Sequence, residues 1–254
     1  MNIESNTVEI TAQSSGMDAK PHVSRRDYLF SNQLSMFGKR EIIGFGSNEF
    51  FIREIDRNVA NKIIKKHHYS KRIVNASYIH LGCFIKNEML GVLQFGAAMN
   101  PASGKNIIKN TENDEFCELN RMWFDDKAER NTESMALSYS VKFIRAKYKK
   151  IKWIQSFADE RCGGFGIVYQ AANFKYFGEH ISSFYELDGE TYHKQNIMCE
   201  PKKGQPRYEY FQKNIDRAVE MSFRQFRYIY FINQKCIKDC LLKEQPYPKH
   251  YAVV

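Results

Sequence analysis

Apolar and polar positions alternate with two different periods along this chain, and each change of period marks an element. Glu49-Phe50-Phe51-Ile52-Arg53-Glu54-Ile55 has the character of a strand, and Asp56 behind it suits a helix N-cap. Val59, Ala60, Ile63 and Ile64 then recur at helical spacing, with Lys65 and Lys66 placed to favour the C-terminal dipole, so a short helix should end near His67 and His68. Tyr78 to Ile85 and Met89 to Phe95 are apolar runs around Lys86-Asn87-Glu88, the pattern of a strand hairpin. Phe116 to Phe124 predicts a strand that carries Glu118, Asn120 and Arg121 inside it. Asn131-Thr132 should cap a helix with Leu137, Val141, Ile144 and Tyr148 on its inner face, and Ile151 to Ala158 the next strand, with Asp159 at its end. A glycine turn, Gly163-Gly164-Phe165-Gly166, leads into a helix through Ile167, Val168, Ala171 and Ala172. Beyond Gly178 the pattern predicts a hairpin around Asp188-Gly189, a polar connector at Pro201 to Pro206, a helix over Asn214 to Met221 and a strand over Arg227 to Ile232. Residues 1 to about 45 show no sustained period and are expected to form a flexible or loosely packed arm, leaving 46–254 as a single domain. Strands and helices in this order predict an α/β fold, a central sheet with helices on its faces.

Composition narrows the class. With 254 residues, 43% hydrophobic and 26% charged, and a mean hydropathy of −0.55, the chain belongs with soluble globular proteins. No apolar run approaches the ~18 residues of a membrane span. Met1-Asn2-Ile3-Glu4-Ser5 lacks the basic flank and apolar stretch of a secretory signal, so a cytoplasmic location is expected. Six scattered cysteines without a Cys-x-x-Cys pair fit reduced thiols, and Cys236 and Cys240 have no second pair to complete a zinc site. Charge is unevenly placed within a net +9: residues 49–110 carry ten basic against four acidic groups and residues 201–254 eleven against five, whereas 111–131 carry three against seven. A polyanion such as nucleic acid, approaching a cleft that holds carboxylates, fits this distribution; so does a plain solvated basic surface.

Three polar clusters fall at element ends, where open α/β sheets collect their ligands: His67-His68-Tyr69-Ser70; Glu118-Leu119-Asn120-Arg121 with Asn131-Thr132-Glu133-Ser134; and Ser156-Phe157-Ala158-Asp159 with Tyr169-Gln170-Ala171-Ala172-Asn173. Each has a structural and a chemical reading. Asp159 is either a helix cap or a base, and Glu118 in a mostly apolar strand is costly unless it is paired or functional. His68 and Tyr69 either close a helix and fill the core or supply an imidazole and a phenol, while adjacent His67 and His68 point to different faces and make a poor metal pair. Asn131 to Ser134 is either a capping arrangement or the anion site of a helix start. Tyr169 and Asn173, one helical turn apart with Gln170 beside them, either read a base edge or make buried structural hydrogen bonds.

Taken in order, His68-Tyr69-Ser70, Leu81-Gly82, Gly91-Val92 with Phe95-Gly96, Glu118-Leu119-Asn120-Arg121, Arg130-Asn131-x-Glu133-Ser134, Ser156-x-Ala158-Asp159 and Tyr169-Gln170-Ala171-x-Asn173-Phe174-x-Tyr176-x-Gly178 resemble the Mom family of phage DNA modification proteins from about residue 50 to 200. The resemblance implies a fold similar to the GNAT acyltransferases, with a mixed central sheet and helices on both faces. It implies an enzyme of the bacterial host cytoplasm, phage or prophage encoded, that converts adenine in double-stranded DNA to an N6-(carbamoylmethyl) derivative and so hides the DNA from restriction. On this reading His68, Tyr69, Glu118, Arg121, Ser134 and Asp159 carry the chemistry, with Asp159 first choice for the adenine amine and Glu118 second, and Asn120, Asn131, Ser156, Tyr169, Gln170 and Asn173 bind substrate. A carbamoylmethyl group is joined through carbon, so the donor is open among glycine-derived, aminoacyl and acyl-CoA carriers; the helix start at Glu129 to Ser134 has no glycine of the usual coenzyme A loop. Iron comes with the resemblance, without a ligand set that these residues name. The family pattern has a histidine at the glycine turn, where this chain has Cys162-Gly163-Gly164-Phe165. An N-acetyltransferase for a protein or small amine, and a non-catalytic DNA-binding protein, are the competing readings.

Overall fold

The computed structural model describes residues 26–34, 38–194, 197 and 206–249. Its centre is a ten-stranded sheet with the order β1-β2-β3-β4-β5-β6-β7-β10-β8-β9. The strands are β1 (Asp27–Leu34), β2 (Arg40–Gly46), β3 (Phe50–Glu54), β4 (Ser77–Ile85), β5 (Glu88–Gly96), β6 (Phe116–Phe124), β7 (Trp153–Asp159), β8 (Lys175–Leu187), β9 (Glu190–His193) and β10 (Val219–Phe231). The helices are α1 (Arg57–His67), α2 (Thr132–Lys147), α3 (Ile167–Ala171) and α4 (Pro206–Lys213). Neighbours pair antiparallel except β6 and β7, which run parallel across only Phe116↔Trp153, Cys117↔Ile154 and Glu118↔Gln155. Past Glu118 and Gln155 the two strands separate, and a wedge opens in the middle of the sheet.

Side-chain alternation sends each strand's residues to opposite faces. On one face Leu93, Cys117, Ile154, Ala158 and Tyr228 join Leu137, Val141 and Ile144 of α2 and the residues around α3 in the main core. The other face is covered at its two ends. Ala60 and Ile64 of α1 pack on Val92 and Trp123, and Phe116, Trp153, Ile229 and Phe231 pack under Ala98, Ile107, Ile108 and Cys236. Between these covers the alternation places Glu118 and Arg121 of β6, Gln155, Phe157 and Asp159 of β7, and Gln225 and Arg227 of β10, with Gln155 buried and the others part-buried.

The expected α/β architecture with helices on both faces is the one observed, and the local signals explain most of it. Asp56 caps α1 through the amides of Asn58 and Val59. Lys86 and Asn87 both take left-handed φ in the two-residue turn of the β4–β5 hairpin, which matches the strand twist. Two expectations change. Part of the segment expected as a loose arm, 27–34 and 40–46, forms β1 and β2, because Tyr28, Ile42 and Phe45 bury against the main core; residues 1–25 lie outside the described residues. The hairpin expected around Asp188-Gly189 is the one that joins β8 to β9, and β8 itself runs through Gly178 with a bulge opposite Arg227. The helix expected over 214–221 lies earlier, at α4, and Val219 onward is strand, since Val219, Met221 and Phe223 alternate with Glu220, Ser222 and Arg224.

Candidate active site

The wedge gathers most of the charged candidates. Glu118 and Gln155, the last pair of the parallel ladder, form its floor, and Gln155 Nε2 donates to Glu118 Oε2 at 2.8 Å. Burial pushes the Glu118 carboxyl up from its ordinary value, against the opposing pull of Gln155, Asn120, Arg121 and Arg227. A bulge makes Asn120 the extra residue of β6, since Leu119 faces Phe95 and Arg121 faces Gln94. Asn120 is held there by Ser77 Oγ, which donates to its Oδ1 at 2.8 Å, and by its own Nδ2, which donates to the Ala97 carbonyl at 3.2 Å. The bulge turns Arg121 so that its Nε donates to the Arg72 carbonyl at 2.9 Å and fixes the loop after α1.

That loop carries His68 and Tyr69. His68 is buried, and burial together with the Arg121 charge lowers its pKa to about 4, so the imidazole is neutral at physiological pH. The Ser70 amide donates to Nδ1 at 3.1 Å, which leaves the imidazole proton on Nε2. Tyr69 is 59% exposed, its ring over the wedge and its hydroxyl 3.4 Å from Asp159 Oδ2. Burial of the hydroxyl end, with the Cys162 thiol and the Asp159 carboxylate beside it, pushes the phenol up and keeps it protonated.

Asp159 stands on the far wall. Its Oδ1 accepts from the Arg161 amide at 3.0 Å and so caps the short turn Glu160–Cys162, and both carboxylate oxygens are gripped by the Arg161 guanidinium. The pair is well shielded, with side-chain exposures of 10% and 22%, and the guanidinium lies 3.9 Å over the ring of Phe184. Of the two readings of Asp159, the structure shows the cap. Arg161, Gln155 and Arg227, which are not among the candidates from sequence, line the same wedge; Arg227 lies 5.2 Å over Phe157 and faces Glu118.

The other candidates lie on the α2 face. Tyr169 donates to the Phe157 carbonyl at 3.4 Å and is pushed up to about 12 by burial, and Ser156, 0% exposed, leaves its Oγ without a hydrogen-bond partner. Gln170 donates to the Phe165 carbonyl at 3.3 Å and to the Tyr228 hydroxyl at 3.0 Å, which ties down the glycine turn. Gly166 needs to be glycine, since its φ is +79° and a Cβ would meet the Tyr228 ring at 2.4 Å. Asn173 is exposed in the left-handed conformation just past α3, where it ends the helix instead of sharing a face with Tyr169. Asn131 likewise takes left-handed φ at the start of α2 without a side-chain cap bond, and Ser134 donates back to the Asn131 carbonyl at 3.0 Å. The structure thus brings Tyr69, Glu118, Arg121 and Asp159 together with His68 on the adjoining loop, while Asn131 and Ser134 stand at the start of α2 and Asn173 just past α3.

A model of the Mom protein family matches residues 49–249. The chain belongs to the Mom family. It is 49% identical over 212 residues, 82% of this chain and 88% of the relative, to the methylcarbamoylase Mom of Escherichia phage Mu. Among solved structures, the RimL ribosomal L7/L12 α-N-protein acetyltransferase is 14% identical over 73% of this chain and 95% of its own, with a TM-score of 0.40. The ribosomal-protein-S5-alanine acetyltransferase of Vibrio fischeri is 12% identical over 76% and 98%, with a TM-score of 0.45.

In this Mom protein the wedge does not fit iron. Among the described residues no group of three His, Cys, Asp or Glu side chains could hold a metal ion. Glu118 is faced by Arg121 and Arg227 and Asp159 is gripped by Arg161, a setting that repels a further cation. Cys162, in the place where the family pattern has histidine, is exposed beside Tyr69 and Asp159, and burial of its sulfur pushes the thiol up from its ordinary value. No helix among the described residues is long and apolar enough to cross a membrane.

Proposed function

We propose that this Mom-family chain is a transferase that modifies the N6 amine of adenine in double-stranded DNA, leaving an N6-(carbamoylmethyl)-type group that shields phage DNA from restriction in the host cytoplasm. The observation that carries this reading is the 49% identity, over 82% of the chain, to a methylcarbamoylase. The chemistry of the wedge supports it. The adenine amine is a weak nucleophile because its lone pair is delocalised into the ring, so it needs a proton acceptor at the nitrogen and donors where negative charge develops. Burial raises the proton affinity of Glu118, which favours it as the proton acceptor. Asp159, first choice on sequence grounds, has both oxygens engaged by Arg161, so we place proton removal at Glu118 and give Asp159 the task of holding Tyr69 and the wedge wall. In the reaction the N6 lone pair forms a bond to the donor's methylene carbon, the bond to the leaving group breaks, and the amine proton passes to Glu118. Arg121, Arg227 and the Nε2–H of neutral His68 supply positive charge and a hydrogen bond for the departing group.

Access requires the adenine to leave the stack, at a cost of a few kcal/mol. Exposed Tyr69 offers a ring for the displaced base, and exposed Lys62, Lys65, Lys66 and Lys71 on and after α1 supply phosphate contacts that offset the cost. The acidic stretch of the sequence does not oppose them as a block, because Asp114 and Glu115 pair with Lys150 and Lys152 away from Glu118. Mass spectrometry of nucleosides from plasmid DNA of cells producing the chain tests the proposal: an N6-modified adenosine is expected, and unmodified adenine alongside soluble, folded protein would refute it.

A further inference from the structure

Gln155 carries a polar atom with no partner. The residue is 3% exposed, its Nε2 is committed to Glu118, and its Oε1 is buried without a hydrogen bond. Buried acceptors are left open rarely and at a cost in stability, so an orphan beside a carboxylate at the floor of a wedge calls for a partner from outside the chain. The amide cannot relieve this by turning over. Oε1 would then face the Glu118 carboxylate, two acceptors with no proton between them. The orientation that satisfies Glu118 is the one that leaves Oε1 open.

We infer that Gln155 Oε1 and the Glu118 carboxylate together form a paired-acceptor receptor for an exocyclic –NH2 group, so that the wedge selects a base by its amine. This rests on the proposed adenine activity and deepens it. The adenine amine has two N–H bonds diverging in the plane of the ring; one meets Gln155 and the other Glu118, which takes its proton. Guanine O6 and thymine O4 present lone pairs at the corresponding edge and meet two acceptors, a repulsive match. Sites built around hydrogen bonds to a substrate N–H reject analogues that lack it far more strongly than apolar pockets reject a change of shape. Gln155 is then a specificity residue, whereas Asn120, with both ends of its amide bonded inside the fold, is a structural one.

The test uses a pair of isosteric bases. Duplexes carrying a single adenine or a single hypoxanthine opposite an abasic site, where the base is free to leave the stack, are titrated with the purified full chain. Hypoxanthine keeps the ring and replaces the amine by an oxo group. The wild type is expected to prefer adenine by about 10- to 100-fold, and Gln155→Met, similar in volume but without the acceptor, to lose about tenfold of that preference while general DNA affinity holds. Gln155→Asn, which keeps the amide and withdraws it by one methylene, is measured in parallel and should behave likewise if Gln155→Met is not recovered folded. Equal wild-type affinity for the two duplexes, or an unchanged preference in the folded variants, overturns the inference. These readouts need no donor: a chain that prefers adenine but leaves plasmid adenine unmodified would retain the receptor and lose the proposed reaction, and a modifying chain without the preference would do the reverse.

Discussion

On the α2 face of the sheet, Tyr169, Gln170 and Tyr228 turn their polar atoms on one another and on the carbonyls of Phe157 and Phe165, fixing the glycine turn that leads into α3. On the α1 face, at the same height of β7, the Glu118 carboxyl is held above its ordinary value, Gln155 keeps an open acceptor, and Tyr69 stands exposed over both walls. Tyr169 and Gln170 on one face and Tyr69 and Glu118 on the other belong to the motif string that resembles the Mom family, and in sequence they look equally polar. They differ in whether the polar capacity is consumed by the fold. On the α2 face Tyr169, Gln170 and Tyr228 spend their polar atoms within the fold although Ser156 Oγ beside them stays open, whereas on the α1 face the open acceptor stands next to a carboxylate whose proton affinity is raised.

The sharpest way to break this contrast is Glu118→Gln, which keeps the shape and removes the base. The modification rate should fall by about 10² to 10⁴-fold, with DNA affinity and thermal stability close to wild type, as read in parallel activity, titration and melting measurements. Gly166→Ala attacks the other face. The left-handed φ and the 2.4 Å approach to Tyr228 should cost about 2–3 kcal/mol, lowering Tm by roughly 5–10 °C, while the activity of each folded molecule is affected much less than in Glu118→Gln.

A smaller effect comes from pH. The unfolded chain protonates His68 below its ordinary value of 6.5, whereas the folded chain holds it neutral down to about 4. A lowered histidine pKa means that the unfolded state binds more protons in this window, so stability is intact above 6.5 and falls as pH drops from 6.5 towards 4. At pH 5 the loss should be about 1–2 kcal/mol, and melting curves of His68→Gln should show less of this acid-side fall than the wild type. The mildest change is Gln170→Met. Losing its bonds to Phe165 and Tyr228 should cost about 1 kcal/mol of stability, with the rate of modification held within a few-fold.

Much of the fold was legible because its signals are local. The Asp56 cap, the Lys86-Asn87 turn and the apolar periods of α1, α2, β4 and β5 each act within a few residues. What escaped depends on partners distant in sequence. β1 and β2 are strands because Tyr28 and Phe45 have the main core to bury against, and β10 starts at Val219 because β8 lies beside it. The site divides in the same way. Glu118 stood out as a charge in an apolar strand. Gln155 breaks its strand just as Glu118 does and could have been found by the same criterion, but it carries no formal charge. Arg161 closes on Asp159 through the geometry of a three-residue turn, and Arg227 reaches the wedge only because β10 pairs with β7 in register with Phe157. The spacing of Tyr169 and Asn173 aligns them only in a continuous helix, and α3 ends at Ala171, before that turn is made.

The central claim, that this chain modifies adenine with the α1 face of the wedge, is tested most directly by counting N6-modified adenosines in plasmid DNA from cells producing wild type, Glu118→Gln and Gln170→Met at equal soluble levels. The account predicts abundant modified adenosine for wild type and Gln170→Met and almost none for Glu118→Gln. Modification persisting in Glu118→Gln, or disappearing in a folded Gln170→Met, would contradict it.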